Sequence, residues 1–425
     1  MNPLPTRRRP ASLVRFLSRP LCLALMTASL SAAALTPRPG RTWVWDELPP
    51  LPPSPGQTRQ VGVAGPFAGV HHDALLVGGG ANFPDKYPWE GGIKAWWDDV
   101  FVLERTSDGK FAWRVDARFK LPRALGYGMS FSTPEGVVCV GGADNDRCYR
   151  EVFRLEWNPR SRTLATTVLP SLPRPLAFMS GAMVGGTLYV TGGQQTIQDP
   201  TFEPVFWALD LSRSGQADFG WRELPAWPGP GRILPVAIDQ SNGLNDCLYL
   251  FGGRIPGADT ATTLLTDAYR YDPAQTKWAS LGPIGGGAGV SVMAGTAIAL
   301  DQEEIALVGG SRGARFLQLE KHDLKIAALR RELKSASPAR ARELQREIDS
   351  ELRSKIEIYT HHTGFSREVL SYRSTTQAWT KREPLPYASP VTTIAIRWGE
   401  TWVIPSGEIQ PGIRTTRILR ARPLK

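Results

Sequence analysis

A short apolar strand running into a glycine pair recurs along this chain, and no other feature restricts its fold as tightly. The instances are Leu75-Leu76-Val77-Gly78-Gly79, Val137-Val138-Cys139-Val140-Gly141-Gly142, Leu188-Tyr189-Val190-Thr191-Gly192-Gly193, Leu248-Tyr249-Leu250-Phe251-Gly252-Gly253 and Ile305-Ala306-Leu307-Val308-Gly309-Gly310. A sixth, Trp402-Val403-Ile404-Pro405-Ser406-Gly407, carries serine where the others carry the first glycine. After the first five come a loop and a second strand, such as Val100-Phe101-Val102-Leu103 or Val152-Phe153-Arg154-Leu155, and four of these then reach a tryptophan: Trp113, Trp221, Trp278 or Trp379. A unit this small cannot bury its own apolar face, so the units must stack on one another. With 42 glycines and 36 prolines among 425 residues, the chain is rich in turns, and its 42% hydrophobic content still supplies a large core. An all-β fold of many short strands follows.

The spacing resembles the kelch repeat, whose units are four-stranded blades of a β-propeller, and the resemblance implies a six-bladed ring. After the sixth unit's third strand, near Arg417 to Arg420, its fourth is missing. Thr42-Trp43-Val44-Trp45-Asp46-Glu47-Leu48 is available to complete it, closing the ring and covering an exposed edge. Strand direction alternates within a blade, so second-to-third loops and blade-to-blade connections open on one face. The expected mouth therefore collects Glu408 and Arg414, the segment Ala81 to Trp97, and Arg59, Arg123, Arg174 and Arg232. The fifth unit departs from the spacing. Phe316 to Lys334 and Pro338 to Ile358 are charged and nearly free of glycine, with apolar residues three and four apart at Leu324, Ala328 and Leu329, or at Leu344, Ile348 and Leu352. Ser337-Pro338 supplies an N-cap and a first-turn proline. A helical hairpin over residues 312–362 is expected there, lying over the mouth as a solvated decoration, a partial lid or a dimer contact.

The first 34 residues hold Arg7, Arg8, Arg9, Arg15 and Arg19, then an apolar run from Leu21 to Leu30 and Ser31-Ala32-Ala33-Ala34. This order reads as a secretory signal of residues 1–34, with a run too short for a membrane span, and implies a periplasmic or secreted propeller over 35–425. Its five arginines account for half of the formal +10 charge. The remainder is mildly basic, which argues for no nucleic-acid partner, and none is expected with a membrane once the signal is removed. Cys139, Cys148 and Cys247 are odd in number, so at least one is unpaired. A Cys139 to Cys148 bridge competes with two small buried side chains.

Gly407-Glu408-Ile409-Gln410-Pro411-Gly412-Ile413-Arg414, with Gly79-Gly80-Ala81-Asn82-Phe83-Pro84 and Trp89-Glu90-Gly91-Gly92-Ile93-Lys94, resembles the cyclically permuted mutarotase family related to bacterial N-acetylneuraminate epimerase. The resemblance spans essentially the whole chain after the signal. It implies an exported kelch propeller that interconverts anomers of sialic acid, with Glu408 matching the family's proposed catalytic carboxylate and Arg414 its substrate-binding arginine. The residue chemistry agrees. Anomerisation moves a proton from the anomeric hydroxyl to the ring oxygen, which a carboxylate can do in both directions, and a guanidinium can grip the sugar's carboxylate. The alternative for Glu408 is a loop carboxylate simply paired with Arg414.

Glu90 and Lys94 are a candidate second proton-transfer or substrate-binding pair, or a structural ion pair. Arg59, Arg123, Arg174 and Arg232 enlarge an anion site or serve inter-blade hydrogen bonds. Asn82 is a turn residue or a sugar contact. His71, His72, His322, His361 and His362 show no metal-ligand spacing, and the mechanism calls for no cofactor. The expected partner is a small acidic sugar. A non-catalytic kelch module binding a glycan or a protein is the main competitor. A copper oxidase lacks suitably placed histidines, and a sialidase lacks its Ser-x-Asp-x-Gly-x-Thr-Trp boxes.

Overall fold

The computed structural model describes residues 43–197, 202–287 and 289–424; the expected signal segment lies outside them. Six antiparallel four-stranded sheets form the molecule. Blade one comprises Phe67–His71, Ala74–Gly78, Val100–Arg105 and Phe111–Arg114; blade two Met129–Thr133, Gly136–Val140, Val152–Asn158 and Thr163–Leu169; blade three Ser180–Val184, Thr187–Thr191, Phe206–Asp210 and Arg222–Glu223. Blade four comprises Val236–Ser241, Asp246–Phe251, Asp267–Asp272 and Lys277–Pro283; blade five Thr296–Ala299, Glu304–Val308, Val369–Arg373 and Ala378–Arg382. Blade six joins Ile396–Trp398, Thr401–Pro405 and Ile418–Pro423 to Trp43–Leu48. The second strand of each blade is mostly apolar because blades pack on both its faces, and Val137, Val138, Cys139 and Val140 are all within 1% of complete burial. Among the described residues Cys139, Cys148 and Cys247 are free and buried, so Cys139 and Cys148 are two small buried side chains rather than a bridge.

Ring closure follows the expected pairing, with register Trp43 to Pro423 through Leu48 to Ile418. Asp46 clasps the seam, accepting from Arg420 Nε and Nη2 at 2.7 and 2.9 Å and from Arg422 Nε at 2.9 Å. The Arg420 hydrogen bond, then that of Arg422, holds its carboxyl below the ordinary value of 3.8. A carboxyl lowered by folding stabilises above its unfolded value, and that contribution disappears as pH falls through the lower folded value. Asp46→Ala is expected to cost about 1–2 kcal/mol at neutral pH, more than a typical surface pair because the contact is bidentate. Asp46→Asn should flatten the acid side of the stability curve below the Asp46 region, which melting temperatures between neutral and acid pH will test. The tryptophans lock blades in sequence: Trp113, Trp221 and Trp278 indoles donate to the carbonyls of Pro49, Pro170 and Pro225 in the connections preceding their blades.

A feature without side-chain signature encircles the axis. Gly65, Tyr127, Phe178, Leu234, Ala294 and Thr392, one per blade connection, form a closed belt in which each N–H donates to the carbonyl of the one before, Gly65 to Thr392 completing it, at 2.6–2.9 Å. All six adopt left-handed φ values between 52° and 67°. Five are not glycine, so the belt holds them against a preference of the order of 1 kcal/mol each. The space at the belt is about 60 Å³, against about 180 Å³ in the channel lined by the inner strands beyond it. Both fall short of the several hundred Å³ of a typical ligand pocket.

Blade five carries the expected hairpin: helix α1, Ala314–Leu333, and helix α2, Pro338–Thr360, the latter capped by Ser337 with proline at its start. Leu344 and Ile348 of α2 and Leu329 of α1 are buried as expected, whereas Leu352 is exposed, and the other buried positions on α1 are Leu319 and Ile326 rather than Leu324 and Ala328. That helix has apolar residues on more than one side, and the stripe facing α2 wins. Among the described residues no helix is long and apolar enough to cross a membrane.

Candidate active site

In blade six the loop after the second strand folds into a small hairpin, Glu408–Gln410 against Ile413–Arg414, with Glu408 directly opposite Arg414 and a register irregularity at Ile409. Directly opposed residues share a face, so the two charges meet by register. Ser406 anchors the hairpin's start: its hydroxyl accepts from Val63 N–H at 2.8 Å and reaches Thr415 O at 2.7 Å. The other five blades place glycine there at φ 54–68°, and Ser406 takes the same conformation at 55°. These contacts account for a side chain at a position glycine usually fills.

The Glu408 side chain is 17% exposed and that of Arg414 5%. Glu408 Oε1 accepts from Gly412 N–H at 2.6 Å and lies 3.4 Å from Arg414 Nη1, an ion-pair distance without hydrogen-bond alignment. Arg414 Nε and Nη1 are buried with no hydrogen-bond partner. Buried donors normally find one, and an anionic ligand oxygen would satisfy them. Phe83 lies under the guanidinium, 4.9 Å from ring centre to Cζ. Asn82 fixes that loop, donating to Gly62 O at 2.8 Å and accepting from Trp97 Nε1 at 2.9 Å, so its amide is engaged within the turn. Gly412 has φ 81°, and a Cβ there would come within 2.5 Å of Pro88 Cγ. The two loops quoted as a motif are therefore in direct contact.

Glu90 and Lys94 do not pair with each other among the described residues. Glu90 caps its own short helix by accepting from Tyr87 N–H at 3.1 Å, while Lys94 lies over the Trp96 and Tyr127 rings at 4.4 and 4.5 Å, at the belt. Arg59 is exposed in the connection into blade one. Arg123 pairs with Glu151 at 3.1 Å and stacks on Tyr149. Arg174 pairs with Glu223 at 3.3 Å. Arg232 is wholly buried, bidentate to Asp267 at 2.6 and 2.8 Å and bonded to Gly252 O. These three arginines hold connections to blades. Among the described residues no three His, Cys, Asp or Glu side chains converge in a way that could hold a metal ion.

The helical insertion contributes groups that spacing alone did not single out. Gln410 Nε2 donates to His362 O at 2.6 Å, and Phe365 N–H to Ile409 O at 2.9 Å. Tyr359 stacks on Trp89 at 4.9 Å and 17°, linking α2 to blade one. On its other side, Glu320 of α1 accepts from Thr262 of blade four at 2.6 and 2.7 Å. The hairpin is thus a wall spanning blades four, six and one, not a free decoration. Burial, then the charges of Asp323 and Glu408, push the Tyr359 hydroxyl up. Burial, then Arg315, pushes His362 below its ordinary value, with Glu408 opposing. His362 Nδ1 accepts from Gly364 N–H at 3.0 Å, which puts the neutral ring's proton on Nε2. Tyr359→Ala removes a stacked pair worth about 0.5–1.5 kcal/mol. The expected result is faster hydrogen exchange at Phe365 N–H with little change at strand centres, and unchanged exchange there would contradict the wall's dependence on that stack.

Fold and mouth together define a kelch-type six-bladed propeller with a largely buried acid–guanidinium pair on one second-to-third loop, that of blade six. The chain belongs to the N-acetylneuraminate epimerase family, whose profile matches residues 24–164 and 169–422. It is 40% identical over 127 residues to the N-acetylneuraminate epimerase of Brucella melitensis, covering 28% of this chain and 31% of that protein. It is 28% identical over 249 residues to that of Haemophilus influenzae, covering 58% and 57%. The aligned stretches thus span about a third to somewhat over half of these relatives. A solved structure titled "Structure of YjhT" shares the fold, with TM-score 0.53 and 15% identity over 87% of this chain and 96% of that one.

Proposed function

We propose that this protein is a mutarotase that interconverts the anomers of N-acetylneuraminate or a closely related acidic sugar, with Glu408 moving the proton and Arg414 holding the substrate carboxylate. The observation that carries this reading is the register-matched pair of Glu408 with an Arg414 that keeps two buried donors unmet. Glu408 takes the proton of the anomeric hydroxyl, that C–O becomes a carbonyl, and the ring C–O bond breaks as the ring oxygen receives the proton back from Glu408. Rotation of the carbonyl and the reverse sequence close the opposite anomer. One carboxylate alternates between base and acid, no proton is gained or lost overall, and no cofactor enters. Arg414 fixes the anomeric carbon beside Glu408 because the sugar's carboxylate is attached to that carbon. The family membership and the names of the relatives support the same activity. A substrate comparison tests it: polarimetry should show accelerated equilibration of N-acetylneuraminate and none of glucose. Equal acceleration of both, or of neither, would contradict the proposal.

A further inference from the structure

The residues following Gly79-Gly80, the four later glycine pairs and Ser406-Gly407, namely Ala81, Ala143, Gln194, Arg254, Ser311 and Glu408, are equivalent, each bridged to the residue just before a belt residue, as Arg254 is to Ile233 and Glu408 to Val391. Their cross-strand partners include Trp96 opposite Ala81, Leu264 opposite Arg254 and Arg414 opposite Glu408. In blade one this face meets the belt, where Trp96 packs edge-on against Tyr127 at 5.5 Å. Of the six equivalent side chains only Glu408 and Arg254 carry charge, and they stand two blades apart.

Unlike Arg232, Arg254 is not saturated. Its Nη1 makes one long contact of 3.4 Å with Thr262 Oγ1, and its Nε is buried without a partner. Phe316 of α1 covers it, 4.6 Å from ring centre to Cζ. Glu320, the acid acting on it, already has its two oxygens on the Thr262 N–H and hydroxyl.

We propose that Arg254 is a second substrate-binding guanidinium, which takes an oxygen-bearing substituent of the sugar on the side away from the carboxylate held by Arg414. This rests on the reading of the mouth as a sugar-acid site. Arg254→Gln keeps the reach to Thr262, and Arg254→Lys keeps the charge without the planar fork. Titrating N-acetylneuraminate by ligand-observed NMR, alongside turnover, should show Kd and KM raised about tenfold or more in Arg254→Gln, with kcat within about twofold of wild type and partial recovery in Arg254→Lys. Wild-type turnover with unchanged Kd in Arg254→Gln overturns the role of Arg254 alone. Wild-type binding without turnover overturns the mutarotase reading, and the Kd comparison still decides on Arg254. A wild type that neither binds nor turns over the sugar overturns both.

Discussion

Glu408→Gln is expected to give a folded propeller that binds the sugar acid and no longer speeds its anomer exchange. Glutamine is isosteric, and its amide oxygen can still accept from Gly412 N–H as Glu408 Oε1 does at 2.6 Å, so the hairpin keeps its turn. What disappears is a group able to take and return a proton. Positioned general acid–base catalysis contributes about 10²–10⁴-fold, so kcat should fall by at least that lower figure with Kd changed far less. A kcat within a few-fold of wild type would remove Glu408 from the chemistry. A non-catalytic glycan-binding module makes the opposite prediction, since it has no turnover for the substitution to abolish.

Arg414→Ala acts on the other half of the pair. It removes the cation facing a largely buried Glu408 and the donors proposed to hold the substrate carboxylate, a loss of about 2–4 kcal/mol in binding, or roughly 30- to 1,000-fold in Kd. Phe83 loses the guanidinium stacked on it at 4.9 Å, so some loss of stability accompanies it. Arg414→Lys separates the effects: it retains a charge beside Glu408 but not the bidentate fork, and should recover more stability than affinity. The discriminating measurement is the affinity for N-acetylneuraminate against that for its neutral methyl ester. Equal losses for the acid and the ester would sink the clamp.

The repeats, the closure by Trp43–Leu48 and the confluence of Glu408 with Arg414 were all legible in the sequence, because each follows from strand periodicity and from glycine pairs that fix where a strand must turn. The belt was not. Gly65, Tyr127, Phe178, Leu234, Ala294 and Thr392 have no side chain in common, and what unites them is a backbone angle and a carbonyl one blade away. The insertion was legible as two helices yet not as a wall, since its contacts run through Tyr359, His362 and Glu320 to loops distant in sequence. Arg254 had a signal that superposing the repeats reveals: it follows Gly252-Gly253 as Glu408 follows Ser406-Gly407. Arg123, Arg174 and Arg232 were the opposite case, conspicuous in sequence and committed to Glu151, Glu223 and Asp267 in the fold.

The most direct test of the account is exchange NMR on N-acetylneuraminate, following transfer between the two anomeric signals with wild-type protein, with Glu408→Gln and with none. The expected result is exchange accelerated by wild type, in proportion to its concentration, and returned to the spontaneous rate by Glu408→Gln. Spontaneous-rate exchange in the presence of wild-type protein would contradict it.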